Sequence, residues 1–434
     1  MLQSGCPNCF KEEHYFPVAE WCCSQSFLNM LKRSLIHILL LLTTLPVCAV
    51  DSLSVEISHR LDVLLADSLL RHSQMGMYVY DISDDTLLYA HNELQLMRPA
   101  SCQKVVTAVT ALSALGADYK FRTGIYLDGS RQGSTFKGNI IVRAGFDPLL
   151  TSAEVSQMIG VLRQKGIKTI SGNLLLDLTI KDTLSRGSGW CWDDDDKLIR
   201  PLYLDGKPSF ATTFRNQLRK AGIQFRGRTY QRELPADAEC VAVFQRPLTD
   251  VLQPMMKESD NLCAEAVFYQ LAAHSQKPRA SAKDAVKYIN ALIDTLGLDA
   301  RHYRIADGSG LSLYNYATPE LFGHLLRYAY RTPQILPAFY ESLPIYGEDG
   351  TLKKRRLSQH AIGNVHAKTG SVTGVSTLAG YCTTAHGHTL CFVIFNQGLI
   401  RAAHGRVFQD KVLEALTAGL TTTEALEGAS FPNE

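Results

Sequence analysis

The segment that most limits how this chain can fold is VVTAVTALSAL, residues 105–115. Its alanine, valine and leucine content is that of a buried helix, so other elements must wrap around it. Directly ahead of it stands PASCQK, residues 99–104. Ser101 then lies at the N-terminus of the helix and Lys104 one turn in, on the same face. Serines three residues before lysines are common. The spacing carries meaning only if the rest of the chain supplies the groups such a pair would need.

Around this helix the pattern changes repeatedly. Residues 51–70 place apolar groups at 53, 57, 61, 64 and 65, a helical spacing, and 75–92 reads as strand, aspartate-containing turn and strand. Residues 119–245 have a different texture. FRTGIYLDGSRQGSTFKGNIIVRAG predicts strands around glycine turns, followed by a helix near 152–165 and a strand in GNLLLDLTI. The loop RGSGWCWDDDDK, a helix over 207–222 and strands over 223–245 complete it. The expectation is an α+β insertion over 119–245 that interrupts one domain, formed by 50–118 and 246–420. Helical spacing resumes at 262–273 and 282–296, the latter with Ser281 and Asp284 at capping-box spacing. NVHAKTG, STLAGYCTT and TLCFVIFNQ predict three successive antiparallel strands, HGRVFQDKVLEALTAG a closing helix, and 421–434 a polar tail.

The chain has 434 residues, 46% of them hydrophobic, enough for a sizeable core. Its 44 basic and 42 acidic residues nearly balance, so no polyanion-binding surface and no nucleic-acid partner are expected. Met30-Leu31-Lys32-Arg33 followed by SLIHILLLLTTLPVCA has the positive head, short apolar core and small exit residues of a secretory signal over 30–49. That core falls short of the about 20 residues of a membrane span. The mature protein is thus expected to be exported, periplasmic or loosely attached to the envelope, with no stable span. A signal normally opens a chain, so residues 1–29 are read as an upstream extension. Their CPNC and Cys22-Cys23 are incidental rather than a zinc or redox site. Cys48 follows Val47, which is bulky for lipid attachment. The later cysteines, 102, 191, 240, 263, 382 and 391, are scattered and form no framework.

Two further pieces join Ser101 and Lys104: Ser259-Asp260-Asn261 and Lys368-Thr369-Gly370-Ser371. Serine is a poor nucleophile until its proton is removed, and a lysine amine does this once burial and neighbouring cations lower its pKa. Amide hydrogens at a helix start hold a developing oxyanion. On this reading Ser101 is the nucleophile and Lys104 its general base. Ser259 relays the proton to the leaving amine, and Asn261 binds a substrate amide and holds Lys104. Lys368 steers a substrate carboxylate and discourages protonation of Lys104. Thr369 hydrogen-bonds that carboxylate, and Gly370 lets the strand edge approach the ligand. The Ser371 amide joins that of Ser101 as an oxyanion donor. Each piece alone is commonplace; their order and contexts, two helix starts and an edge strand, are not. No cluster has metal spacing and no phosphate loop occurs, so no metal or cofactor is expected.

These motifs are those of serine β-lactamases and penicillin-binding proteins. As a whole the chain resembles the exported D-alanyl-D-alanine carboxypeptidase/endopeptidases, the class C low-molecular-mass penicillin-binding proteins. The likeness runs over about 53–195 and 205–415 and includes YVYD at 78–81, KESDN at 257–261 and DGSGLS at 307–312. LPIYGEDGTL at 343–352 and HAKTGSVTGVSTLAGY at 366–381 extend it. The resemblance implies an α+β serine β-lactamase/transpeptidase-like fold: a five-stranded antiparallel sheet flanked by helices, an all-helical lobe, and an inserted α+β domain. It implies that Ser101 attacks the penultimate D-alanine carbonyl of a peptidoglycan stem peptide, and that water then hydrolyses the acyl-enzyme. D-alanyl–diaminopimelate crosslinks are open to the same chemistry, and β-lactam antibiotics acylate Ser101. An aspartate in the family's Gly-Trp-x-Trp-x-Asp loop meets the diaminopimelate amine. The matching loop, Gly189 to Asp194, makes Asp194 that residue, with Asp193 or Asp195 as substitutes.

The chain departs from the family where a second small β-domain would stand, passing almost directly from Lys197 to Pro208. At most a few strands near 226–245 remain of that insertion. Two rival readings stay open. One is a β-lactamase-like hydrolase of free drug, which needs a deacylating water that no residue announces. The other is a catalytically idle cell-wall-binding scaffold, which would have no chemical need for Ser101, Lys104, Ser259 and Lys368 together. Cys102 is read as core packing, His366 as structural and Asp307 as part of a turn.

Overall fold

The computed structural model describes residues 52–194 and 196–419. The expected signal at 30–49 with Cys48, the extension 1–29, Asp195 and the tail 421–434 lie outside the described residues. The chain divides into two units at Ser52/Leu53, and the architecture here is that of the second.

Helix α1, Ser52–Leu64, precedes strands β1, Gln74–Asp81, and β2, Thr86–His91. A 3-10 turn, Ala100–Cys102, runs straight into α2, Gln103–Leu115, which stops where Gly116 turns to φ 86°. Then come β3, Lys120–Gln132, β4, Thr135–Arg143, and α3, Ser152–Gln164. Short β5, Thr169–Ile170, and β6, Leu174–Asp177, lead to α4, Phe210–Lys220. They are followed by β7, Gln224–Phe225, β8, Thr229–Gln231, and β9, Glu239–Pro247. Five helices come next: α5, Leu248–Lys257; α6, Asn261–His274; α7, Ala282–Thr295; α8, Pro319–Arg331; and α9, Leu336–Ser342. Strands β10, His366–Val372, β11, Val375–Thr383, and β12, Thr389–Gln397, and helix α10, Ala402–Thr417, close the fold.

Strands β10-β11-β12-β1-β2 form one antiparallel sheet in that order, as expected. Its strands serve two cores by alternation. Tyr78, Tyr80, Tyr381, Cys391, Val393 and Phe395 pack with α2 and α6. Met77, Val79, Leu378, Cys382, Phe392 and Ile394 pack with Ile57 and Leu61 of α1 and Phe408 and Val412 of α10. A sheet covered on both faces needs apolar residues at every position. That is why TLCFVIF has no polar face.

On the helical side, α2 is buried over Gln103–Leu112 and α6 over Leu262–Ala272. Helices apolar all round belong in the middle, and these two pack against each other. Ser281 donates its amide to Asp284 Oδ2 at 3.0 Å, so the anticipated capping box starts α7.

The remaining strands build a seven-stranded sheet over its own core, with α3 and α4 packed on it. Within it β9 pairs with β3 and β8 with β6. The strands near 226–245 therefore belong to this seven-stranded sheet. All six cysteines after residue 49 are free thiols. Among the described residues no helix is long and apolar enough to cross a membrane.

Candidate active site

Ser101 occupies the 3-10 turn that feeds α2, and the turn is strained. Ala100 sits at φ 45°, a left-handed conformation that costs an L residue about 1 kcal/mol or more. The turn is pinned from one side by Gly310, where an added Cβ would overlap the Ala100 carbonyl oxygen. Lys104 is fully buried. Its Nζ has three partners: Ser101 Oγ at 3.0 Å, Asn261 Oδ1 at 2.6 Å and the Ser309 carbonyl oxygen at 2.8 Å. Asn261 is the first residue of α6, capped by Asp260, which accepts the Cys263 amide. The starts of α2 and α6 therefore meet at the amine. Ser259, half-buried between α5 and α6, is held at φ 61°.

Strand β10 closes the other side. Cys102 Sγ donates to the Lys368 carbonyl at 3.2 Å, and Thr377 Oγ1 donates to the Pro99 carbonyl at 2.7 Å. A Cβ on Gly370 would overlap Thr377 Oγ1 and stand 2.8 Å from the Pro99 oxygen and 2.9 Å from the Cys102 nitrogen. The glycine is thus required by the serine's own turn, a reason distinct from the expected approach of a ligand. Lys368 is fully buried and donates to the Thr369 carbonyl at 2.8 Å. Thr369 Oγ1 donates to Thr351 Oγ1 at 2.8 Å, and Ser371 is exposed.

Burial pushes Lys104 down to about 8. The carboxylates of Asp307, Glu265, Asp196 and Asp260 act in the opposite direction. Desolvation is what lowers Lys104, and the repulsion between the two amines falls on Lys368. Burial, with the charge of Lys104 adding to it, pushes Lys368 down to about 7. The surroundings of the base are acidic rather than positively biased.

Two of those acids organise the site. Glu265 is buried on α6, and its Oε1 accepts the amides of Gly308 at 3.1 Å and Ser309 at 2.9 Å. Asp307 accepts the amides of Gly310 at 2.8 Å and Ser312 at 2.7 Å, Asn315 Nδ2 at 2.7 Å and Trp190 Nε1 at 2.8 Å. Together they shape the 307–310 turn whose Ser309 carbonyl holds Lys104. Asp307 is a turn residue, as read from the sequence. Glu265 went unnoticed, although a lone carboxylate in an apolar helix is a signal, because a charge is buried only with partners.

The acidic loop folds back on itself. Asp194 Oδ2 accepts the Cys191 amide at 2.7 Å and so closes its own turn, and Asp193 is exposed. Among the described residues, the loop acid that reaches the site is Asp196, whose Oδ2 accepts from Asn261 Nδ2, while Lys197 pairs with Asp260 at 3.6 Å. Cys102 is buried, and burial pushes its thiol up to about 11. His366 stacks on Tyr340 at 4.3 Å, a packing role. Asp81, Asp84 and His388 also come within reach of one another, a grouping their spacing hides. Asp81 already accepts the Ser83 and Asp84 amides and pairs with His388 at 2.8 Å.

The model of the D-Ala-D-Ala carboxypeptidase 3 (S13) family matches residues 57–201 and 203–418. The D-alanyl-D-alanine carboxypeptidase DacB of Haemophilus influenzae is 28% identical over 419 residues, covering 77% of this chain and 87% of that protein. A D-alanyl-D-alanine carboxypeptidase of Actinomadura sp. (strain R39) is 25% identical over 79% of this chain and 81% of its own. The crystal structure of penicillin binding protein 4 (dacB) from Haemophilus influenzae superposes with a TM-score of 0.74 at 27% identity, covering 82% of this chain and 98% of that one. With the family model spanning nearly all of the described residues, the chain belongs to the D-Ala-D-Ala carboxypeptidase 3 (S13) family.

Proposed function

We propose that Ser101 and Lys104 are the nucleophile and general base of a serine-type acyl-transfer hydrolase that acts on D-Ala-D-Ala-type peptidoglycan termini and is penicillin-sensitive. One observation carries the assignment of roles, the set of partners around Lys104 Nζ. A neutral amine has two hydrogens and one lone pair. The Ser309 carbonyl can only accept. Asn261 also presents its oxygen to Lys104, because Asp196 takes a hydrogen from the Asn261 amide nitrogen. The two hydrogens therefore have fixed destinations, and the lone pair is left to receive the Ser101 hydroxyl proton.

Attack by Ser101 Oγ forms a C–O bond to the carbonyl carbon and a tetrahedral oxyanion, held by the amides of Ser101 and Ser371. Collapse breaks the peptide bond, and the leaving amine of D-alanine takes the proton from Lys104 by way of Ser259. Water then repeats the sequence on the acyl-enzyme. Lys368 and Thr369 receive the substrate's terminal carboxylate. That carboxylate keeps Lys368 charged, and since two buried ammonium groups repel, Lys104 is the one left neutral. D-Ala–diaminopimelate crosslinks present the same bond to Ser101. The signal-like pattern at 30–49 supports export to the compartment where peptidoglycan lies.

The test is incubation with labelled penicillin and with a stem pentapeptide, wild type beside Ser101→Ala. Stoichiometric labelling and D-alanine release, both lost in S101A, are expected. Rapid drug turnover without peptide cleavage would instead mark a β-lactamase, and a folded protein that takes no label would mark an idle scaffold.

A further inference from the structure

The outer edge of β10 is covered at its start. Ala367 donates its amide to the Pro344 carbonyl at 2.9 Å, and Ile345 bridges to His366. Past Ile345 the chain leaves the strand and forms the 3-10 turn Gly350–Leu352. Thr351, in that turn, meets β10 again further on, its hydroxyl 2.8 Å from that of Thr369.

The turn is firmly held. Asp349 pairs with Lys257, the last residue of α5, at 2.6 Å and accepts the Ile345 amide at 2.7 Å. Gly350 sits at φ 52°, and an added Cβ would stand 2.5 Å from the Lys257 carbonyl oxygen. A side chain there would force the turn off α5. Leu352 is fully buried, and its carbonyl accepts the Gly347 amide at 3.1 Å. Lys257 lies two residues before Ser259, so these contacts tie Thr351 to the corner that carries Ser259.

The count of hydrogens gives Thr351 its role. A hydroxyl has one hydrogen, and a carboxylate only accepts. The Thr369 hydrogen goes to Thr351 Oγ1. Thr369 is then left with lone pairs alone, which a carboxylate repels. The hydrogen of Thr351 goes to no group among the described residues, and Thr351 is exposed.

We infer that Thr351 is a substrate-binding residue whose hydroxyl donates to the substrate's terminal carboxylate, while Thr369 holds that hydroxyl in place. Donation from Thr369 polarises the Thr351 hydroxyl and makes it the stronger donor. The inference rests on the reading of Lys368 and Thr369 as the carboxylate site, and adds to it a residue outside the three motifs. Recognition of the carboxylate then depends on the seating of the 343–352 segment against α5.

The test compares acylation of the full chain by penicillin G with that by its methyl ester. Hydrolysis of a stem pentapeptide is compared in parallel with that of its C-terminal amide. Ester and amide keep the reacting carbonyl and lose the anionic carboxylate. In the wild type the free acids should react at least about tenfold faster than the neutral forms. Thr351→Val should slow acylation by penicillin G about tenfold, as one charge-assisted hydrogen bond is lost, and by the ester less than about twofold. Thr351→Ser, which keeps the hydroxyl, should restore the preference for the acid. An equal fall on acid and ester in T351V would mark a merely structural turn and overturn the inference. A preference that survives T351V but is lost in Thr369→Val would overturn it too, with the carboxylate site left standing. A wild type that treats acid and ester alike would overturn the carboxylate site itself, and this inference with it. If T351V does not fold, Thr351→Ala on the same four compounds decides.

Discussion

Replacing Asp196 by asparagine removes a negative charge near Lys104 while leaving an acceptor for the Asn261 amide. Asn261 spans the two groups, with Lys104 Nζ 2.6 Å from its Oδ1 and Asp196 on its Nδ2. The carboxylate therefore lies roughly 7 Å from the amine, an interaction of about 2 kcal/mol at an effective dielectric of about 20. Asp196 is partly exposed, and solvent screening reduces this to about 1 kcal/mol. Losing it favours the neutral amine and moves Lys104 below about 8 by somewhat less than one pH unit. The assay is the second-order rate of acylation by labelled penicillin between about pH 5.5 and 9.5. In D196N the acid limb should move to lower pH, with the rate near pH 6 up about fivefold and the rate near pH 9 unchanged. Asp196→Ala, which also frees Asn261 to turn, should lower the rate across the range. An unmoved acid limb in D196N, or a uniform fall at all pH values, would refute the claim that this carboxylate acts on the base through its charge.

Three further outcomes follow from the same geometry. Glu265 keeps its proton up to about 8 when folded, against an ordinary value of 4.5, so its contribution to stability is full below 4.5 and is lost as pH rises through 8. Glu265→Gln should flatten the fall of urea-unfolding free energy over that window relative to wild type, and an identical slope in the two proteins would contradict it. Gly370→Ala drives a methyl into Thr377 and the serine turn, so a loss of about 2 kcal/mol and an acylation rate down at least about a hundredfold are expected. Normal labelling with an unchanged melting temperature would remove that contact from the argument. Ala100→Gly relieves the residue at φ 45° and should raise the unfolding free energy by about 0.5–1 kcal/mol, a gain that urea titration detects.

The parts of the fold that could be read from the sequence are those set by local pattern. Helix α2 announces itself because every residue from 105 to 112 is small or apolar, and the three C-terminal strands because β-branched and aromatic residues run between turns. Ser101, Asn261 and Lys368 were legible as members of short motifs. That Lys104 and Asn261, 157 residues apart, lie 2.6 Å from each other is a product of topology. The acidic loop shows a different limit. A run of aspartates carries no internal sign of which one turns inward. The Cys191 amide captures Asp194 three residues on, and Asp196 reaches Asn261.

The charge states were least legible, since they depend on who is buried beside whom. Burial penalises either sign of charge, so it drives the amine of Lys104 down and the carboxyl of Glu265 up, until both stand at about 8. The turn at 307–310 ties the two together, its amides on Glu265 and its Ser309 carbonyl on Lys104. Groups so matched exchange their preferred protonation states for little free energy. The strength of the base therefore depends on burial first, then on the charge of Asp307 and on the proton of Glu265, and a motif that spells only the serine and the lysine names none of them.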